Sequence, residues 1–363
     1  MQLPNIDTLI ATLDLIDYDT EASNLLKTLE IKKQESKDNV KEDSYENVMV
    51  TIGNMSFEIF PNGSRHHAYI LHNDYYELKF ARYRSRSVNN YPIFIKIKSA
   101  CLWEKGYTQA WEDIKTLISN NIGEIATNKI SRADLCCHTD ELNLKANDID
   151  KFSGKFRSDE IYRDDRKLSG FTFGSGKSKK IFCRIYNKTM EVVKKRQKLW
   201  FFNIWNENNM DKDNVWNVEF EIQRKFFKEY DIETVEDMFT KLSSLWKYCT
   251  VDWLQFKELD NNRKDRCTLN ESWNNIHQSY DHIKSKSLIK AEQRLDSDAD
   301  VLIPSIIGYI TSFSARKKLG RKDNFDLGET IIDLTTRGLD YLEKNKESDF
   351  SEEVRKKLAL LGS

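Results

Sequence analysis

The stretch Lys180-Ile-Phe-Cys-Arg-Ile-Tyr-Asn-Lys-Thr-Met-Glu191 reads as a β-strand, and residues 189–200 after it read as a basic helix. Side chains at i, i+2 and i+4 of a strand share one face. Arg184, Tyr186 and Lys188 therefore stand together, with a tyrosine hydroxyl between two fixed positive charges. Cations so placed favour an ionised phenol and hold a phosphate within its reach. The arrangement suits a phenolate attacking a phosphodiester.

Outward from that strand, period-two alternation predicts a sheet. Residues 8–16 alternate as a strand, and Val48–Phe60 and His67–Leu71 are joined by the turn residues Pro61-Asn62-Gly63-Ser64. Tyr75–Ala81, Ile93–Ile97, Lys129–Thr139 and Val215–Gln223 continue it. Residues 24–44 read as a charged helix and loop. Residues 107–120 read as an amphipathic helix with Trp111, Ile114, Leu117 and Ile118 on one side. The stretch from residue 140 to Gly176 reads as loop. Beyond residue 234, Val235–Cys249, Val301–Leu319, Leu327–Leu342 and Glu352–Leu361 fit helices. The expected fold is α+β, a mostly antiparallel sheet flanked by helices over 1–255, then a helical C-terminal region over 256–363. The almost wholly polar Glu258–Arg266 marks the expected boundary.

Composition narrows the class. The 363 residues carry 57 Lys and Arg against 58 Asp and Glu, so net charge alone points to no nucleic-acid partner and local clustering must carry that argument. Only 4 Pro and 13 Gly argue against long disordered linkers. None of the six cysteines forms a CxxC pair, so neither zinc-site spacing nor a disulfide framework is read. No signal peptide and no membrane-length apolar run is read either, and the expectation is a reduced, cytoplasmic protein without a membrane partner.

Charge does cluster locally. From Lys177 to Lys198 lie Lys177, Lys179, Lys180, Arg184, Lys188, Lys194, Lys195, Arg196 and Lys198, against the single acid Glu191. A tract of this kind follows a phosphate backbone. The plainer alternative is a solvated helix face beside a lysine-guarded edge strand. A second constellation is acidic: Arg132, Asp134, Cys136 and His138 share one strand face, and Glu219 and Glu221 another. Carboxylates on neighbouring strands, with a histidine, are a ligand set for Mg²⁺ or Mn²⁺. Cross-strand pairing with Arg132 and Arg224 is the structural alternative. The aromatic run Trp200, Phe201, Phe202, Trp205, with Trp216, offers stacking surfaces for unpaired bases or, alternatively, core.

Two motifs are rejected. Gly174-Ser175-Gly176-Lys177-Ser178 imitates a phosphate loop, but Phe171 stands where a glycine is needed and a strand follows instead of a helix. The neighbours His66 and His67 point to opposite faces of a regular strand and cannot share an ion.

Ser131-Arg132-Ala133-Asp134, Arg184-Ile185-Tyr186-Asn187-Lys188-Thr189-Met190-Glu191 and Val218-Glu219-Phe220-Glu221 occur in that order. The set resembles the replication-initiator family of Gram-positive rolling-circle plasmids, the Rep_trans group, which includes relaxases of conjugative elements. The resemblance spans roughly residues 45–255. It implies that Tyr186 is a nucleophile cutting one DNA strand at an origin and staying joined to the 5′ end, freeing a 3′ hydroxyl. Arg184 and Lys188 would grip the scissile phosphate, and Glu191 would orient Lys188 or join the acidic set. Asp134 and Glu219, then Glu221 and His138, would be the metal ligands. The family often has aspartate where His138 stands and arginine where Asn217 stands, which bears on the metal shell more than on the nucleophile. No helix-turn-helix precedes the core, which leans towards a plasmid-type initiator. A homodimer and a host helicase are implied by the resemblance alone. Arg316, Lys317 and Lys318, with Arg321 and Lys322, form a second basic cluster expected to help read the origin. The competing expectation is a DNA-binding protein that keeps the fold without the chemistry.

Overall fold

The computed structural model describes residues 1–41, 46–85, 90–174, 180–263, 266–289, 303–317, 326–346 and 348–361. Among them the strands are β1 (Gln2–Leu15), β2 (Met49–Ile52), β3 (Met55–Ile59), β4 (Tyr69–His72), β5 (Tyr76–Phe80), β6 (Ile93–Ile97), β7 (Ile125–Thr139), β8 (Phe152–Gly154), β9 (Asp159–Asp164), β10 (Lys167–Phe173), β11 (Ile181–Asn187), β12 (Trp216–Gln223) and β13 (Leu254–Phe256). Eleven of them form one antiparallel sheet in the order β2-β3-β4-β5-β6-β1-β7-β12-β11-β10-β9, and β8 pairs with β13 apart from it. The α+β class read from the sequence is the observed one.

One face of the sheet is apolar. Leu9, Ala11 and Leu13 of β1, Leu135 of β7, Val218 and Phe220 of β12, and Cys183 and Ile185 of β11 are buried in a single core. The helix Tyr107–Asn121 buries Trp111, Ile114, Leu117 and Ile118, the stripe its periodicity predicted. The alternate residues of β11, β12 and β7 form the opposite, polar face. A smaller apolar cluster of Val192, Phe201, Trp205, Met210 and Val215 is separate from the main core. The chain thus presents charged groups on central strands, where helices and neighbouring strands exclude water.

Several expectations need correcting. Val48–Phe60 is two strands, because Gly53 adopts φ +57° and turns the chain between Ile52 and Met55. The stretch read as loop contains β8, β9 and β10. The β9–β10 hairpin turns at Asp165 and Arg166, both at positive φ without glycine, so the usual hairpin signal is missing. Val235–Cys249 is two short helices, Val235–Thr240 and Leu242–Lys247, followed by the wide turn Tyr248–Trp253.

The chain divides into two compact units, Met1–Ala291 and Glu292–Ser363. The boundary expected at 255/256 falls inside the first. There the helix Glu271–Gln278 and Tyr280 place Trp273, Ile276 and the Tyr280 ring in the main core. The Tyr280 hydroxyl donates to the carbonyls of Asn5 at 2.5 Å and Cys136 at 3.0 Å. The second unit contains the helices Ile303–Lys317, Leu327–Lys346 and Phe350–Leu361. Lys317 pairs with Asp333, and the Thr330 hydroxyl donates to Ser314 at 3.1 Å. Among the described residues no helix is long and apolar enough to cross a membrane.

Candidate active site

Register aligns the polar face into rows across strands. Tyr186 of β11 lies opposite Asn217 of β12, which lies opposite His138 of β7. Arg184 lies opposite Glu219, and Glu221 opposite Asp134. The tyrosine, both glutamates, the aspartate and Arg184 therefore share one face by strand periodicity.

The Tyr186 hydroxyl is the hub. It donates to Glu219 Oε2 at 3.1 Å and accepts from Asn217 Nδ2 at 3.0 Å and Lys188 Nζ at 3.2 Å. Burial, then Glu219, Glu191 and Asp7, push the phenol well above the ordinary tyrosine range, against the Asn217 hydrogen bond. The phenol rests neutral, although the cations were expected to favour its ionised form. Burial, with Asp7 behind it, also raises Glu219, to about 7, although Arg184 pulls the other way. A neutral phenol thus donates to a carboxylate poised to accept its proton near neutral pH.

Only one of the two expected cations reaches the hydroxyl. Lys188, one per cent exposed, begins the helix Lys188–Lys195 and is tied to Glu191 at 2.7 Å. Asn187 caps that helix by accepting from the Met190 amide at 2.8 Å, so the strand converts to helix directly after the tyrosine. Glu191 also holds Lys195 at 2.8 Å. Burial opposes ionisation of Glu191, but Lys188 and Lys195 outweigh it and lower its pKa. Arg184 instead bonds Glu219 and lies 3.5 Å from Asp134 and 3.8 Å from Glu221.

The carboxylates as folded do not fit the expected Mg²⁺ or Mn²⁺. Arg132 donates to both oxygens of Asp134, at 2.7 and 2.6 Å, and lies 2.8 Å from Glu221 Oε2. Gln223 donates to Glu221 Oε1 at 2.5 Å, and Arg184, Tyr186 and Asn217 donate to Glu219. Every oxygen of the three groups already accepts from a protein donor. Among the described residues no cluster of three or more His, Cys, Asp or Glu is disposed to hold a metal ion. His138 is engaged elsewhere: its ring stacks on Trp103 at 4.5 Å and its Nδ1 accepts from Trp205 at 3.1 Å. Burial holds its pKa well below the usual histidine range.

Asp7 and Gly170 are among the site residues that escaped sequence reading. Asp7 sits where β1 slips register between Ile6 and Thr8. It accepts from Ser99 at 2.6 Å and Trp103 at 3.2 Å and lies 3.7 Å from Lys198. Burial pushes its pKa up, yet Lys198 and Lys188 bring it to about 2. Gly170 of β10 lies opposite Tyr186, where a Cβ would come within 2.8 Å of the Tyr186 Cβ and 2.6 Å of the Ile185 carbonyl. Alternation broken by a register slip hid the first, and a glycine inside an unrecognised strand hid the second.

Tyr186 lies in a cleft of about 720 Å³ lined also by Asp7, Arg132, Asp134, Arg163, Gly170, Arg184, Lys188, Glu191, Lys194, Lys195, Lys198 and Glu219. Of the residues expected to bind DNA, Lys194 and Lys195 line it. Lys180 pairs instead with Glu229, and Arg196 ends the helix in a left-handed turn. Arg316 and Lys317 lie in the second unit. Lys177, Lys179 and Lys318, with Arg321 and Lys322, lie outside the described residues. The aromatics offered as stacking surfaces are mainly interior: Phe201, Trp205 and Trp216 are buried, and Trp200 and Phe202 pack against the smaller cluster.

No protein-family model matches the chain, and no curated protein matches it. Among solved structures the chain is similar to a rolling circle replication initiator protein from Geobacillus stearothermophilus. The two share 16% sequence identity over 80% of this chain and 99% of that one, with a TM-score of 0.46.

Proposed function

We propose that the chain is a replication initiator or relaxase that nicks and rejoins one strand of DNA through Tyr186. The observation that carries the reading is the hydroxyl of Tyr186, donating to Glu219 at 3.1 Å and accepting from Lys188 at 3.2 Å on the floor of a cleft rimmed by Lys194, Lys195 and Lys198. The phenol oxygen forms a bond to phosphorus while the bond from phosphorus to the 3′ oxygen breaks. The phenol's proton passes to Glu219, and the departing 3′ oxygen takes a proton from water. The 5′ phosphate stays on the tyrosine. Attack by a 3′ hydroxyl reverses the sequence, so rejoining needs no nucleotide cofactor.

Electrostatics support the remaining roles. Lys188 is the cation nearest the attacking oxygen and neutralises charge developing on the phosphate. Arg184 supplies a second charge when it exchanges a carboxylate for the phosphate. Asn217 orients the phenol and Glu219 together, donating to both at 3.0 Å. No step is routed through a metal ion. A homodimer and a host helicase rest on the sequence resemblance and a cytoplasmic location on the cysteine usage of the sequence; none carries a step of the chemistry.

One observation favours a binding module without chemistry: Arg184 is tied to Glu219 and not to the Tyr186 hydroxyl. The two readings part in one experiment. The chain is incubated with supercoiled plasmid carrying its own origin and Mn²⁺, then run on a denaturing gel. Covalent protein–DNA product that disappears in Tyr186→Phe supports the nicking reading. Tight binding without covalent product, across several divalent ions, overturns it in favour of the module.

A further inference from the structure

The cleft contains an exposed aromatic ring that the chemistry above does not use. Tyr162 of β9 is 46% exposed and lines the cleft. It lies opposite Gly170 of β10, and Gly170 lies opposite Tyr186 of β11. The two tyrosines thus stand in one row with a glycine between them. Adjacent strands are about 4.8 Å apart, so their backbones are separated by roughly 10 Å. No side chain rises between them, and a planar ring needs only about 3.5 Å.

The walls of this slot are fixed. Tyr186 turns towards β12, where its hydroxyl meets Asn217 and Glu219. The Tyr162 hydroxyl donates to Glu160 on its own strand, which holds its ring at the cleft wall. Thr172, in register with both Glu160 and Arg184, also lines the cleft, and its side chain hydrogen-bonds the Tyr162 hydroxyl. Lys194, paired with Asp164, and Lys195, paired with Glu191, also line the cleft, where a phosphate can take the place of either carboxylate. A flat, weakly polar group carrying a phosphate fits these features together.

We propose that the slot between Tyr162 and Tyr186 is a nucleobase subsite, in which a base next to the scissile phosphate stacks on the Tyr162 ring. The inference rests on the reading of the cleft as a DNA nicking site and adds a requirement. A base held in a duplex is sandwiched by its neighbours and cannot present a face to Tyr162. The strand is therefore taken unpaired at this nucleotide.

The test reads binding without cutting, in the Tyr186→Phe chain. Two probes are used in fluorescence anisotropy: oligothymidylate of roughly 20 nucleotides, and an abasic strand of the same length with the same phosphates. Tyr162→Ala is expected to weaken oligothymidylate binding about tenfold and to change abasic binding by less than about twofold. Tyr162→Phe keeps the ring and is expected to bind oligothymidylate normally. Equal loss on both probes, or loss on neither, overturns the subsite and leaves the nicking reading standing. If the Tyr186→Phe chain binds neither probe at low salt, the DNA reading falls and the subsite with it.

Discussion

The rate of covalent adduct formation should follow the ionisation of Glu219. Of the groups on the Tyr186 hydroxyl, Glu219 alone changes charge near neutral pH. Lys188 is raised above the usual lysine value and stays charged, and Asn217 does not titrate. Tyr186 itself titrates well above 10. Around them Glu191 is lowered, Asp7 titrates at about 2 and His138 stays neutral. Asp134 is raised by burial, against Arg132, and its charge is one of the causes that raise Glu219. With Glu219 at about 7, the active fraction is about one half at pH 7, about a tenth at pH 6 and about a hundredth at pH 5. The profile at limiting DNA should rise with unit slope and level off above pH 8. Glu219→Gln should remove the slope and lower the plateau about 10²- to 10⁴-fold, the usual worth of a general base. Single-turnover adduct formation at fixed ionic strength and fixed divalent ion is the assay. A wild-type profile flat from pH 5 to 8, or a Glu219→Gln chain that keeps both slope and rate, refutes the assignment of Glu219 as base.

The same site makes further predictions. Gly170→Val should lower stability by about 1–3 kcal/mol in urea unfolding, because its Cβ would press on the Tyr186 backbone and Cβ, and should also slow adduct formation. A stable, fully active Gly170→Val chain would sink that account. Arg132→Ala should tighten Mn²⁺ binding, read by paramagnetic resonance of the free ion, since Arg132 holds both oxygens of Asp134. Unchanged or weaker binding would show that the ion goes elsewhere. Lys194→Ala with Lys195→Ala should flatten the salt dependence of single-strand binding by about 1.4 in the logarithmic slope if each meets one phosphate. An unchanged slope would remove both from the interface.

What was legible in the sequence divides along the sheet. The central strands carry apolar residues at alternate positions, so β6 and β12 were found within a residue of their ends and β11 within a residue of its start, and with them the positions of Tyr186, Arg184, Glu219 and Glu221. The edge was not legible. β9 is exposed at four of its six positions and buries none, so no apolar alternation marks it. Tyr162 and Gly170 were lost with that hairpin. The fate of the charged groups was not legible either, since a row of residues on a face does not say which partner each will choose. Arg184 took Glu219 instead of the Tyr186 hydroxyl, and His138 took Trp205 instead of the carboxylates. Both choices follow from burial, where an unpaired charge or polar atom costs more than in water.

That pairing has a consequence for the order of events. Arg184 lowers the pKa of Glu219, opposing burial and the charge of Asp7. A substrate phosphate that draws Arg184 away removes this restraint and adds a negative charge of its own. Both changes strengthen Glu219 as a base at the moment when it has a proton to receive. The ionisation seen at saturating DNA should therefore lie above the one seen at limiting DNA, since the first reports the complex and the second the free chain. Replacing Arg184 with alanine should raise the free-chain value and shrink the gap between the two, because no guanidinium is left to leave. Measured with single-turnover rates at both DNA concentrations, a gap that Arg184→Ala leaves unchanged would mean that Arg184 stays on Glu219 throughout. The phosphate would then be held by Lys188 and the rim lysines alone.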